Sequence, residues 1–326
     1  MSNFVVNPYR FVTGGGYTST ADTNAMVCGG TNNPWTALNV SQFWDGDVWD
    51  NSVGALPVAT QFFSAGGNYD NYLGAGGDVG STDTATKDTF QWDGNAWTSC
   101  SGVPCVYPQT DSVHNGGCAF GGNIDSAFIH SGDDTDVSPT AYITSSGRWT
   151  GDAWVESVAS TYGGQGRCGG GLPDDFIATS GYGYNGTGTL HYGYKTESFN
   201  GDSWTNEIDF PNTGAGGTSA FAYGGGCASG RESFLAFCSS QLLVNVAFIF
   251  DGTSWTGAGT LAESSQYGFG GGDSSNGIFA GGIVPGEPSP EPWGGTKSQI
   301  YNGTSFTSTA DLDTGFTAGG GGANSS

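Results

Sequence analysis

A short motif recurs along the chain: an aromatic residue, then in most copies Asp-Gly or Asn-Gly, then a second aromatic residue three positions after the glycine. Its central glycines stand 48, 57, 50, 51 and 51 residues apart. A turn pair between aromatic positions is typical of a tight β-hairpin, and a near-constant interval makes each hairpin part of one repeated unit. The copies are Trp44–Trp49, Trp92–Trp97, Trp149–Trp154, Phe199–Trp204, Phe250–Trp255 and Tyr301–Phe306. The chain is therefore predicted to form a single array of six repeats.

Two apolar runs that end in glycines precede each hairpin. The first repeat has Tyr9–Gly16 and Ala25–Gly30, and the fourth has Cys168–Gly171 and Phe176–Gly181. Each repeat thus supplies four strands, and four antiparallel strands in roughly 40–50 residues are typical of a β-propeller blade. Strands without Cβ atoms let backbones approach closely, so the glycines are expected near the central axis. We therefore predict an all-β, six-bladed β-propeller of four-stranded antiparallel blades.

A seventh glycine run, Phe316–Gly322, has no repeat behind it. Because too few residues precede Tyr9 to complete a seventh blade, ring closure is predicted to mix N- and C-terminal strands. The C-terminal glycine strand is expected to pair into the blade of the first repeat, displacing either itself or Tyr9–Gly16. The predicted parts are an N-terminal arm (1–8), one propeller domain (9–322) with repeats near 9–57, 58–106, 107–160, 161–212, 213–261 and 262–311 and a closing strand (315–322), and a tail (323–326).

The composition favours an ordered, acidic protein. Although the chain has 60 Gly and 12 Pro, its 20 Phe, 14 Tyr and 10 Trp residues can bury enough surface to offset the entropy of ordering. With 30 acidic and 7 basic residues the formal charge is −23, so nucleic acid and anionic membranes are predicted to be repelled. Met1–Pro8 lacks a signal pattern and no run reaches ~18 apolar residues, so we expect a soluble protein made without a secretion signal or membrane insertion.

The repeats resemble the kelch repeat, in which an apolar run to Gly-Gly is followed by a strand that ends in an aromatic residue, a turn and a Trp. The Asp-Gly-x-x-Trp and Ala-Gly-Gly forms are similar to kelch-like repeats predicted in tail and other virion proteins of marine bacteriophages. The resemblance covers roughly residues 9 to 322 and implies a virion structural protein. Phe306 in place of Trp, and Thr150 in place of Asp or Asn, depart from the pattern.

No pattern of catalytic residues stands out. Gly181–Gly186 matches a dinucleotide-binding motif by letter, but no helix-forming segment follows it to bind phosphates. His114, His130 and His191 show no metal-ligand spacing to one another, and the histidines of the kelch-fold copper oxidases have no counterpart here. A packed core group is the favoured interpretation for each histidine. The sequence therefore predicts a protein that is not an enzyme.

An acidic group, Asp133, Asp134 and Asp136, offers hard oxygen ligands in one predicted loop. Such ligands suit Ca²⁺, but the spacing lacks the regular alternation of a calcium-binding loop. Solvated acidic surface is the favoured interpretation, and Ca²⁺ is the alternative. No other cofactor is predicted.

The strand order predicts two unequal faces, because loops joining strands two to three and four to one emerge together. This longer-loop face carries Trp35, Tyr182, Tyr184 and Trp293, which we predict to be ligand-binding residues. Aromatic residues on loops of a rigid scaffold suit sugar rings or a protein partner. The alternative is that these rings pack back onto the blades.

These features predict a non-enzymatic bacteriophage virion protein, in a tail fibre, a tail tip or on the particle surface. Its expected partners are other virion proteins and a host-surface glycan or protein, and it is expected to be made in the host cytoplasm and exposed on the particle, where it could also self-associate. One alternative is a passive capsid decoration or tail structural protein without a receptor role. A further alternative is a kelch-fold carbohydrate-active enzyme.

Overall fold

The computed structural model describes residues 24–32, 36–79, 84–100, 118–134, 141–184, 190–211, 225–238, 245–263, 267–283, 294–316 and 320–323. Within these ranges all regular structure is β-strand. No helix among them is long and apolar enough to cross a membrane.

The strands are numbered in chain order. Those of the first half are β1 Ala25–Cys28, β2 Ser41–Trp44, β3 Trp49–Asp50, β4 Thr60–Gln61, β5 Ser64–Asn68, β6 Asn71–Ala75, β7 Asp78–Val79, β8 Thr84–Ala85, β9 Thr89–Trp92, β10 Trp97–Cys100, β11 Ala119–Gly122, β12 Ala127–His130, β13 Asp133–Asp134, β14 Ala141–Tyr142, β15 Ser146–Trp149 and β16 Trp154–Ser157. Those of the second half are β17 Gln165–Leu172, β18 Asp175–Tyr184, β19 Leu190–Tyr192, β20 Glu197–Phe199, β21 Trp204–Asn206, β22 Gly225–Ala228, β23 Phe234–Cys238, β24 Val246–Phe250, β25 Trp255–Thr260, β26 Phe269–Gly272, β27 Gly277–Ala280, β28 Ser298–Tyr301, β29 Phe306–Ser308 and β30 Gly320–Ala323.

Six antiparallel sheets form the blades of a propeller. From the centre outward, blades 1 to 6 are β30-β1-β2-β3, β5-β6-β9-β10, β11-β12-β15-β16, β17-β18-β20-β21, β22-β23-β24-β25 and β26-β27-β28-β29. The innermost strands β30, β5, β11, β17, β22 and β26 contact one another in a closed cycle. The predicted all-β, six-bladed β-propeller is therefore confirmed.

Blade 1 closes the ring with strands from both ends of the chain. Strand β30 pairs antiparallel with β1, with Ala323 opposite Ala25 and Gly320 opposite Cys28. The predicted mixing of terminal strands is confirmed, and the innermost strand ends one residue beyond the predicted boundary. The competing run, Tyr9–Gly16, lies outside the described residues.

Glycines allow the innermost strands to converge. A Cβ atom added to Gly121 in blade 3 would lie 2.2 Å from the carbonyl oxygen of Gly171 in blade 4. One added to Gly170 would lie 2.7 Å from the backbone nitrogen of Ala228 in blade 5. Since real Cβ atoms do not approach backbone this closely, the packing around the axis requires glycine, as the sequence predicts.

The hairpin turns are held by the side chain of their first residue. In blade 2 the Asp93 carboxylate accepts hydrogen bonds of 2.9 Å from the backbone nitrogens of Asn95 and Ala96. These bonds lower the pKa of Asp93. Thr150 departs from the pattern because its hydroxyl instead donates to the carbonyl of Ala153 at 3.0 Å.

In all six hairpins the two aromatic residues are direct cross-strand partners. Their ring centroids lie between 4.8 and 5.7 Å apart. The second aromatic residues of the six hairpins therefore occupy equivalent positions, because each begins the outermost strand of its blade. These residues are Trp49, Trp97, Trp154, Trp204, Trp255 and Phe306.

Indole N–H groups connect neighbouring blades. The Nε1 atom of Trp154 donates to the Thr89 hydroxyl of the preceding blade at 3.0 Å, and Trp97 donates to Ser41 at 3.2 Å. Phe306 has no such donor, and the position of blade 5 that corresponds to Thr89 is Ala247. Phe306 packs against the apolar cluster that contains Ala247. Where Phe306 replaces Trp, the neighbouring blade thus also lacks the hydroxyl that the indole of a Trp would bind.

The Phe306–Ala247 pairing predicts that Trp154 and Thr89 contribute to the free energy of unfolding as a coupled pair. Trp154→Phe alone is expected to cost about 1–3 kcal/mol, because it leaves the buried Thr89 hydroxyl without its donor. Adding Thr89→Ala reproduces the Phe306–Ala247 pairing, so the double variant should cost at least ~0.5 kcal/mol less than the sum of the single variants. Denaturant unfolding of the four proteins measures the coupling, and strict additivity would contradict it.

The two faces of the ring differ in construction. The turns between the third and fourth strands of each blade are four residues long, as at 45–48. Together with the turns between the first and second strands, such as 69–70 and 229–233, they form what we call the short-turn face. The opposite long-loop face carries the connections between the second and third strands and between blades. Its additional structure comprises the sheet β4-β7-β8, the hairpin β13-β14, and the extension of β18 that pairs with β19.

Candidate functional site

Two of the four predicted ligand-binding residues, Trp35 and Trp293, lie outside the described residues. The described residues that flank their segments adjoin each other: a Cβ atom added to Gly294 would lie 3.4 Å from the Cα atom of Asn32. The described residues Asn32 and Gly294 therefore lie side by side at the junction of blades 6 and 1.

The other two predicted residues lie on blade 4. Strand β18 extends beyond the blade and pairs with β19, with Tyr182 opposite Tyr192 and Tyr184 opposite Leu190. We call this the blade 4 hairpin. Blades 1 and 4 occupy opposite positions in a six-membered ring, so the blade 4 hairpin and the described residues Asn32 and Gly294 lie in two different regions of the long-loop face.

A cation lies between two aromatic residues at the foot of the blade 4 hairpin. The Nζ atom of Lys195 lies 4.8 Å from the ring centroid of Tyr194 and 5.5 Å from that of Tyr162. All three side chains are half-buried, and we call them the tyrosine–lysine cluster. Lys195 also forms an ion pair of 2.8 Å with Asp209. Burial lowers the pKa of Lys195, but the hydrogen bond and charge of Asp209 outweigh it and raise the pKa, so the ammonium stays charged.

Three buried ionisable residues lie beneath this cluster: His130 of blade 3, and Arg167 and Glu197 of blade 4. We call them the buried triad. The Nη1 atom of Arg167 lies 2.9 Å from the Glu197 carboxylate, 2.9 Å from Nε2 of His130 and 2.7 Å from the Tyr162 carbonyl, so its two protons are shared among three acceptors. The histidine and glutamate are fully buried, and the arginine is 2% exposed. A pair of buried charges of opposite sign replaces the neutral packing expected in a propeller core.

The buried triad holds the backbone of the tyrosine–lysine cluster. Arg167 donates to the carbonyl of Tyr162 at 2.7 Å and to that of Lys195 at 3.2 Å. Glu197 accepts from the backbone nitrogens of Thr161 at 2.9 Å and Tyr162 at 3.3 Å. The positions of these surface residues therefore depend on the buried charges.

Two other blades form an equivalent clamp without charge. Glu197 stands two residues before the aromatic residue that ends its strand, and Gln42 and Gln299 occupy the same position in blades 1 and 6. The Gln42 amide bonds both the nitrogen and the carbonyl of Thr314, at 3.1 and 2.8 Å. The Gln299 amide oxygen accepts from the nitrogen of Ala262 at 2.6 Å. Blade 4 thus uses a carboxylate and an arginine where an amide is sufficient elsewhere.

Ser131, at the junction of blades 3 and 4, is a second residue that differs from the repeat pattern. It adopts a left-handed backbone (φ 78°), where the corresponding residues of blades 1 and 2, Gly29 and Gly76, have φ of 69° and 73°. The Ser131 hydroxyl donates to the Gly164 carbonyl at 2.6 Å and accepts from its nitrogen at 2.8 Å. These bonds offset the strain of a side chain at a position that favours glycine.

The arrangement does not provide an activated nucleophile. The Ser160 hydroxyl lies 3.5 Å from Nε2 of His130. Arg167 donates to that same nitrogen, so Nδ1 carries the ring proton and faces the Ser146 hydroxyl at 3.2 Å. Burial, followed by the charge of Arg167, holds the pKa of His130 well below its usual range. His130 is therefore not free to accept a proton from Ser160.

The predicted calcium group is only partly described. Asp133 and Asp134 form β13, and Asp136 lies outside the described residues. Within the described parts of the chain, no group of three or more His, Cys, Asp or Glu side chains is placed to hold a metal ion. Calcium binding at this loop stays the alternative to a solvated acidic surface.

Comparison with known proteins supports the fold. No family model and no curated protein matches the chain. Among the solved structures that match, that of YjhT has a TM-score of 0.58 at 14% identity, over 81% of this chain and 87% of that one. At this identity the likeness shows that the two chains share a fold.

Sequence reasoning missed the tyrosine–lysine cluster and the buried triad, apart from assigning His130 to the core. One signal was present: alignment of the repeats places Glu197 where two others have Gln. A charged residue at a position that two other repeats fill with an amide indicates that blade 4 has a charged partner for it.

Proposed function

We propose that this chain is a kelch-like, non-enzymatic virion structural protein of a bacteriophage that binds a host-surface glycan or protein through its long-loop face. The observation that carries the proposal is the inequality of the two faces. The described connections on the short-turn face are two to five residues long, whereas the long-loop face carries an extra sheet and two extra hairpins. A scaffold that served only as a spacer would not require this added structure on one side.

The composition of the chain fits this role. The formal charge of −23 disfavours nucleic acid and anionic lipid as ligands and keeps an exposed particle protein soluble. Strand β18 of the blade 4 hairpin carries Tyr182 and Tyr184 in sequence, and the half-buried Tyr162 and Tyr194 lie at the foot of this hairpin. Aromatic side chains on a rigid base suit sugar rings and protein anchors.

Adsorption of phage to host cells tests the proposal. Trp35→Ala with Trp293→Ala removes one pair of the predicted ligand-binding rings, and Tyr182→Ala with Tyr184→Ala removes the other pair. At least one pair is expected to reduce adsorption about tenfold or more, as loss of an interface anchor does. Val48→Ala on the short-turn face, where Val48 is 52% exposed, is the matched control and should adsorb normally.

Each outcome separates the alternatives. Mass spectrometry of purified particles must detect the protein, and its absence would end the virion assignment. Unchanged adsorption by both pairs, with normal incorporation, would favour the passive structural alternative. Release of soluble sugars from host glycans by the purified protein would favour the carbohydrate-active enzyme.

A further inference from the structure

The charged clamp at the junction of blades 3 and 4 performs a task that Gln42 and Gln299 perform without charge elsewhere in the ring. We propose that the buried triad of His130, Arg167 and Glu197 is an acid-sensitive switch, which holds the tyrosine–lysine cluster in place at neutral pH and releases it when His130 takes a proton.

The contact of His130 with Arg167 disfavours a second ring proton, and hydrogen bonding of the ring to the backbone of Ser145 and Tyr162 offsets this effect only in part. Nε2 accepts from Arg167 at 2.9 Å, and Nδ1 faces the Ser146 hydroxyl at 3.2 Å. A proton on Nε2 would set two N–H donors against each other and place an imidazolium beside a guanidinium. Because both groups are buried, water does not screen their repulsion.

The surroundings of His130 contain one compensating charge. Arg167 contacts the ring from β17, and Glu197 on β20 is paired with Arg167 rather than with the histidine. The other described neighbours are uncharged: the hydroxyls of Ser146 and Ser160, the backbone of Ser145 and Tyr162, and the Trp204 ring, which packs on the imidazole at a centroid distance of 4.5 Å. A single carboxylate would therefore have to balance two adjacent cations.

The direction of the pH effect follows from linkage. While the junction is closed, burial and the charge of Arg167 hold the pKa of His130 well below its usual range. When the junction opens, the ring regains its ordinary pKa of about 6.5. The open state then binds the additional proton, so opening becomes more favourable as the pH falls below about 6.5, and it is suppressed above that value.

Opening would be transmitted to the surface through the backbone. Arg167 and Glu197 bond the main chain of Thr161, Tyr162 and Lys195, so loss of these bonds frees two members of the tyrosine–lysine cluster. If the long-loop face binds a receptor as proposed above, opening at low pH would release that receptor, and this use of the switch rests on the proposed function. The existence of the switch does not.

Hydrogen exchange of backbone amides tests the switch without any ligand. The amides of Thr161 and Tyr162, which donate to Glu197, report opening of the junction. After correction for the intrinsic exchange rate, their opening equilibrium should rise roughly thirtyfold between pH 8 and pH 5. His130→Gln, which keeps a polar side chain without a titratable group, should abolish this rise.

The same molecule supplies the control. The amides of Thr314 and Ala262 donate to Gln42 and Gln299 in the uncharged clamps, and their opening should not change with pH. The proposal is overturned if all four amides respond alike in the unmodified protein, a comparison that needs no variant to fold. Persistence of the rise in His130→Gln would equally overturn it. Neither result depends on whether the protein binds a receptor.

Discussion

Arg167→Met is expected to destabilise the propeller by about 3–5 kcal/mol, because it leaves the Glu197 carboxylate buried without its counter-ion. The two side chains are 2.9 Å apart and fully enclosed. The substitution also removes donors from the carbonyls of Tyr162, Ala178 and Lys195. Methionine fills much of the vacated volume, so the loss reflects charge and hydrogen bonding more than a cavity. The shift of the denaturant midpoint, followed by tryptophan fluorescence, measures it.

A second substitution tests whether the charges of Arg167 and Glu197 act on stability as a pair. Glu197→Gln alone should also destabilise, because the Arg167 charge is then uncompensated. Combined with Arg167→Met it should recover most of the loss, since Gln at this position holds the neighbouring backbone in blades 1 and 6. If the double variant is as unstable as the sum of the single variants, the two residues do not act as a unit.

The ring is predictable from the sequence because every repeat carries the residues that build it. Hairpin aromatics such as Trp92 and Trp97 are neighbours in sequence and in space, and their interval marks each blade. Glycines such as Gly121 mark the innermost strands, where backbone meets backbone. Each blade repeats the same local solution, so six weak signals reinforce one another.

The candidate site is not predictable in this way, because its contacts join residues far apart in sequence at positions where the repeat pattern fails. Arg167 and Glu197 are 30 positions apart, and His130 lies 37 positions before Arg167. No periodicity brings such residues together. The sequence indicates which face carries long connections, and so predicts Tyr182 and Tyr184 as surface candidates. It contains no signal for the cation between Tyr162 and Tyr194.

Gly121→Ala is expected to cost about 3 kcal/mol, although it adds a single methyl group. The new carbon would lie 2.2 Å from the carbonyl oxygen of Gly171 and 2.6 Å from its nitrogen. Both atoms are backbone of the adjacent innermost strand, so no side-chain rotamer relieves the contact. Blade 4 cannot retreat either, because its own innermost strand meets blade 5, where a Cβ on Gly170 would lie 2.7 Å from Ala228.

Gly257→Ala is the matched control for this effect. An added Cβ there has no atom within 4 Å, so the variant should unfold within about 0.5 kcal/mol of the parent protein or be slightly more stable. Thermal or denaturant unfolding of both variants compares crowding at the axis with open space at the rim, because both substitutions change the unfolded chain equally. Equal stabilities would mean that the innermost strands can separate. Contact between backbones would then not be what holds the blades in a closed ring.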